Sequence, residues 1–132
     1  MPHLLIEYSA NIEQKLGLDE LLDRLHATAI DTGLFPLGGI RIRAYRAEHY
    51  RVADCDDANA FVHVTALVGS GRPLDKRQRA SEQLFETLCA ALEPLVAASP
   101  LAISFTMQEF HPLLNFKKNN LHEYVRRRQA ND

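Results

Sequence analysis

Strand–helix–strand occurs twice in this 132-residue chain, with matching elements offset by roughly 60 residues. Leu4 to Tyr8 is short and apolar-rich, as a strand is. From Leu18 the residues Leu18, Leu21, Leu22, Leu25 and Ala29 recur at helical spacing, with Asp19 and Glu20 in a first turn where the helix dipole favours acids. Gly33 supplies the stop, and Pro36 follows. Ile40 to Arg46 then alternates cleanly: Ile40, Ile42 and Ala44 form one face, and Arg41, Arg43 and Tyr45 the other. After an irregular acidic connector from Val52 to Asn59 the pattern returns. Ala60 to Val68 reads as a strand rich in β-branched residues, and Gly69 to Pro73 as a turn. The spacing predicts a helix from Leu74 to about Glu93, with Ala80, Leu84, Leu88, Ala91 and Leu95 as its stripe. Pro94 either ends it or bends its last turn. Leu101, Ile103, Phe105 and Met107 alternate with polar or small residues in a fourth strand.

Helices of this length between strands imply right-handed crossovers and parallel pairing within each unit. The expected architecture is α+β: two tandem βαβ units in a four-stranded mixed sheet with both helices on one face. The chain reads as a single domain over 1–132, with pseudo-repeats at about 2–46 and 60–110 and a C-terminal extension at 111–132. The helix stripes cover one sheet face only, so the other face calls for a partner, most simply a further copy of the chain.

The net charge of −2 offers no electrostatic footprint for nucleic acid or an anionic membrane. Cys55 and Cys89 are far apart and in no CxxC arrangement, which argues against a disulfide framework or a zinc site. The scattered histidines form no H-x-x-x-H or H-x-H pair. No apolar run approaches the ~18 residues of a membrane span, and no secretion signal opens the chain, so a cytoplasmic location is expected.

The start carries the chemistry. Met1-Pro2-His3 runs straight into the first strand. With Met1 clipped, the chain opens on a proline whose secondary amine is anchored by that strand. An α-amino group titrates near ~7.7–8.0, and burial or a neighbouring cation lowers it further, which suits a general base. Pro2 could equally just begin an edge strand, where a missing N–H does no harm.

Several phrases, taken in order, resemble the tautomerase superfamily and its 4-oxalocrotonate tautomerase-like members. They are Met1-Pro2-His3, Gly33 to Arg41, Ala60 to Val64, Gly71-Arg72, His111 to Lys117 and Asn119-Asn120. Within the superfamily the whole chain is most similar to the 5-carboxymethyl-2-hydroxymuconate isomerase family, whose chains are fused and roughly double-length. The resemblance implies a homotrimer that moves a proton between oxygen and carbon of an unsaturated 2-hydroxy di- or tricarboxylate. The family substrate is an intermediate of homoprotocatechuate degradation. No cofactor is implied, because a 2-keto acid is its own electron sink. Pro2 matches the base, and Arg72 and Arg41 match the arginines that hold carboxylates or the 2-oxo group. Arg43 is a further substrate-binding candidate, and Phe116 could supply an apolar wall.

The repeat implies one site per chain. The position matching Pro2 in the second unit falls near Ala60 and has no free amine, and the turn matching Arg72 in the first falls near Gln14-Lys15. His3 should face away from Pro2 on an alternating strand, and His63 reads as a satisfied core histidine. Residues 111–120 read as a subunit contact or pocket rim, and Arg126 to Arg128 as a solvated tail. Two rival functions stay open: tautomerisation of an arylpyruvate, and a trimeric binding module that keeps the fold without the chemistry.

Overall fold

The computed structural model describes residues 2–131. Strand β1 (His3–Ser9) leads through a 3₁₀ turn (Ala10–Ile12) and a single turn α1 (Glu13–Leu16) into α2 (Leu18–Asp31). A second 3₁₀ turn (Leu37–Gly39) precedes β2 (Arg41–Ala47). Then follow β3 (Ala60–Val68), α3 (Leu74–Ala98), β4 (Leu101–Glu109) and α4 (Leu121–Ala130). The sheet order is β2-β1-β3-β4. Pairing is parallel within each unit and antiparallel where β1 meets β3, so the sheet is mixed.

Alternation decides what each face does. Leu4, Ile6 and Tyr8 of β1 and Ala60, Val62, Val64 and Ala66 of β3 turn to the helices and are buried. Leu21, Leu25 and Ala29 of α2 meet them, as do Leu84, Leu88, Leu92 and Leu95 of α3. Residues that pair across strands share a face. His3, Arg41 and Leu67 therefore stand together on the opposite face, followed by Leu5, Arg43 and Thr65. Neither α2 nor α3 covers that side.

Three details depart from the sequence reading. The polar stretch before α2 is structured, with Ile12 and Leu16 buried in the core. α3 runs past the expected end near Glu93 to Ala98, so that of the two alternatives for Pro94 the helix stop is the one that fails. The missing proline N–H would have bonded the carbonyl of Ala90, which is exposed and can turn to water, while Leu92 and Leu95 remain packed on either side. His63 is not a core residue: it stands half-buried on the open face, its Nδ1 2.6 Å from Ser104 Oγ.

Candidate active site

The topology brings four chain segments to one end of the sheet. Because β1 and β2 are parallel and β3 runs against β1, the starts of β1 and β2 lie beside the ends of β3 and β4. Pro2 stands at that end. It is fully buried, and its carbonyl accepts the Arg41 amide at 3.0 Å, so the start of the chain is fastened to the start of β2. Phe110 follows β4 and donates its N–H to Val68 at 2.8 Å, closing the same end on the other side.

Arg41 and Arg43 occupy the open face, as the alternation requires. Arg41 curls back toward the preceding turn, donating from Nη1 to the Gly39 carbonyl at 2.9 Å. Arg43 donates from Nε to the Tyr45 hydroxyl at 3.0 Å, and its Nη1 lies 3.1 Å from Nδ1 of His3. His3 packs edge-on against Phe110, with ring centroids 5.9 Å apart. Burial, then the charges of Arg43 and Arg41, hold the His3 pKa below its ordinary 6.5.

Arg72 sits in the turn between β3 and α3. Its Nε and Nη1 donate to the carbonyls of Leu34 (3.3 Å) and Gly69 (3.2 Å), and its guanidinium lies 5.1 Å from the centre of the buried Phe35 ring. It thus bridges the loop after α2 to the loop after β3. Gly71, at φ +103°, makes this turn possible. One part of the expected anion site has an internal tenant: the Glu109 carboxylate accepts the Gly71 N–H at 3.0 Å and pairs with Arg77 at 3.4 Å. Among the described residues, Arg72 Nη2 makes no hydrogen bond to the chain.

Sequence reasoning missed Glu109, Arg77, Phe35 and Phe110. Glu109 follows β4's alternation and looks like any strand-end acid, so no signal in the chain marks it. Phe35 lay within the Gly33 to Arg41 phrase, but its stacking under Arg72 depends on two loops meeting. Phe116 is 87% exposed within a single chain, on a loop anchored by Phe110 to Val68 and by Asn119 to Gly38. Met1, on whose removal the amine depends, lies outside the described residues.

A hollow of about 240 Å³ beside Arg41 is lined by Pro36, Gly39, Lys117, Asn119 and His122. A larger one, about 360 Å³, opens at the opposite end among Glu48, Tyr50, Asp56 and Asp57. Its carboxylates make it a poor receptor for an anion. Among the described residues no cluster of His, Cys, Asp and Glu could hold a metal ion, and no helix is long and apolar enough to cross a membrane.

A family model for 5-carboxymethyl-2-hydroxymuconate isomerase matches residues 2–125. The chain belongs to that family. It is therefore an isomerase. A curated relative, the 5-carboxymethyl-2-hydroxymuconate Delta-isomerase of Escherichia coli, is 42% identical over 122 residues, covering 92% of this chain and 97% of the relative. The crystal structure of a 5-carboxymethyl-2-hydroxymuconate isomerase from Deinococcus radiodurans R1 superposes with a TM-score of 0.88 at 34% identity, over 94% of this chain and 93% of the other. A more distant structure, described as a fused 4-OT wild type symmetric trimer, has a TM-score of 0.63 at 16% identity, over 88% and 93% of the two chains. At that identity it attests the shared fold alone, an α+β chain built on a four-stranded mixed sheet.

Proposed function

We propose that this isomerase ketonises 5-carboxymethyl-2-hydroxymuconate to its 2-oxo-3-ene isomer, with the amine of Pro2 as general base, in the cytoplasmic breakdown of homoprotocatechuate. The observation that carries the reading is the gathering of Pro2, Arg41, Arg43 and Arg72 at one end of the sheet. Removal of Met1 frees the proline nitrogen as a secondary amine. Burial, at a sheet end that carries guanidinium groups, would disfavour the protonated form and leave the nitrogen available as a base near neutral pH. It takes the enol proton as the C–O bond becomes a carbonyl, the double bonds shift along the chain, and the same proton is returned to the distal carbon. No net oxidation occurs, and the substrate's own carbonyl takes the electrons, so no cofactor is required.

The arginines hold the substrate. A guanidinium presents a planar fork of donors matched to a carboxylate. Arg72, and with it Arg41, would steady the carboxylates and the oxygen on which charge develops, and Arg43 would receive a further carboxylate. Three guanidinium groups suit a di- or tricarboxylate better than an arylpyruvate, which asks for fewer cations and more aromatic lining. The exposed Leu113, Leu114 and Phe116 on the loop after β4 favour a homotrimer in which a neighbouring copy, through Phe116 among others, walls the site.

The test pairs intact mass with turnover. The processed protein should lack Met1 and rapidly change the ultraviolet absorbance of 5-carboxymethyl-2-hydroxymuconate. Pro2→Ala should lose about a hundredfold or more in kcat, the scale for removing a positioned base. Equal rates in the two proteins would defeat the assignment of Pro2.

A further inference from the structure

Arg43 stands one step too far from Pro2 to serve a site there unaided. On β2 it pairs with Leu5, two residues beyond the His3–Arg41 pair that adjoins Pro2. A long side chain on an open sheet face spreads over many rotamers, and ordering it costs up to about 2 kcal/mol. Two contacts restrain it. Nε donates to Tyr45, and Nη1 reaches diagonally back to Nδ1 of His3 at 3.1 Å. The second contact draws the guanidinium toward the Pro2 end. His3 is itself held edge-on to Phe110, whose backbone is tied to Val68.

The chemistry of this contact fixes the state of the ring. A guanidinium has donors and no acceptor, so Nδ1 must accept, and the single ring proton must sit on Nε2. We propose that His3 is the positioning residue for Arg43: as the neutral Nε2–H tautomer it accepts from Nη1 and aims the remaining N–H groups at a substrate carboxylate beside Pro2. This rests on the reading of Arg43 as a substrate-binding residue. The Nη2 group makes no hydrogen bond among the described residues and is the donor left for that carboxylate.

Protonating His3 would set a second donor against the guanidinium and break the contact. The charged side chains facing the ring are Arg41 and Arg43 from β2, both of which oppose protonation. Tyr45 lies farther along β2, and Leu67 across on β3 and Phe110 beyond β4 carry no charge. The bond therefore holds at neutral pH. Below pH 6.5 the KM for an anionic substrate should rise as His3 gains its proton.

Two measurements test this, the first without substrate. Nitrogen-15 NMR of the imidazoles should find His3 wholly as the Nε2–H tautomer with a pKa below 6.5, and Arg43→Met should admit the minor Nδ1–H form of a free histidine and raise that pKa. An Nδ1–H tautomer in the wild type would overturn the proposal. The second is kinetic. His3→Ala should raise KM about tenfold with kcat within about twofold, the scale of one hydrogen bond to a charged group. His3→Asn, whose amide oxygen can stand where Nδ1 stood, should recover most of the loss. Unchanged KM in the alanine variant, or equal deficits in both variants, would refute the positioning role. Should His3→Ala fail to fold, the tautomer decides. A wild type inert toward the substrate would sink the functional reading while leaving the His3–Arg43 pair to be judged by NMR.

Discussion

Arg72 commits two of its three guanidinium nitrogens to the chain itself. Two bonds to the carbonyls of Leu34 and Gly69 and the stack on Phe35 make it a clasp between loops. Lysine would keep the charge but could not make a two-pronged, stacked contact. Arg72→Lys should therefore lower thermal stability by about 4 °C, the equivalent of roughly 1 kcal/mol in a domain of this size. It should also lower kcat/KM by tenfold or more. Thermal unfolding and steady-state kinetics on one preparation check both. A variant that loses activity at unchanged stability would show that the clasp has no structural weight. Arg41, Arg43 and the face they share were legible from a period-two pattern, because strand alternation is a local rule. Arg72's partners were not: Leu34 and Gly69 are 35 residues apart in sequence and meet only through the crossover. Glu109 was invisible for the same reason.

At the level of elements, helix stripes and strands could be read because burial imposes their periods. What could not be read was the docking of α4. It rests on the 3₁₀ turn Leu37–Gly39, where Asn119 Nδ2 donates to the Gly38 carbonyl at 2.9 Å. Gly38 is needed for closeness rather than for an unusual dihedral. A Cβ added there would stand 2.6 Å from His122 Nδ1 and 3.0 Å from its Cα. The side chain could swing aside, but the α4 backbone could not without undocking. Gly38→Ala should thus release α4 while leaving the core largely intact, since α4 buries no residue of its own. Hydrogen exchange across 121–130 should quicken strongly, and protease should cut within 111–120, with the unfolding temperature shifted by only a few degrees. Unaltered exchange in α4 would mean that the turn yields instead. The same turn supplies the Gly39 carbonyl that holds Arg41, so release of α4 should also be felt as a raised KM.

The whole molecule poses a problem that one chain does not solve. Leu113, Leu114 and Phe116 are 77, 72 and 87% exposed within four consecutive positions. The segment is nonetheless fastened at both ends, by Phe110 to Val68 and by Asn119 to Gly38. A fastened loop that offers three large apolar side chains to water is a surface awaiting a partner. The open sheet face adds Leu5, Phe61 and Leu67 between its polar residues. A ring of three copies would cover both at once, and cyclic closure needs only one such loop and one receiving surface per chain. Sedimentation should find three times the chain mass at micromolar concentration, with an unfolding temperature that rises with protein concentration. Leu113→Asp combined with Phe116→Asp should shift the mass toward a single chain, since burying two carboxylates in an apolar contact is costly. If neighbouring copies wall the site, activity should fall in step with the loss of trimer and recover as concentration is raised. A wild type that sediments as one chain and turns over at full rate would refute the shared wall, leaving the exposed leucines and Phe116 without a role in catalysis.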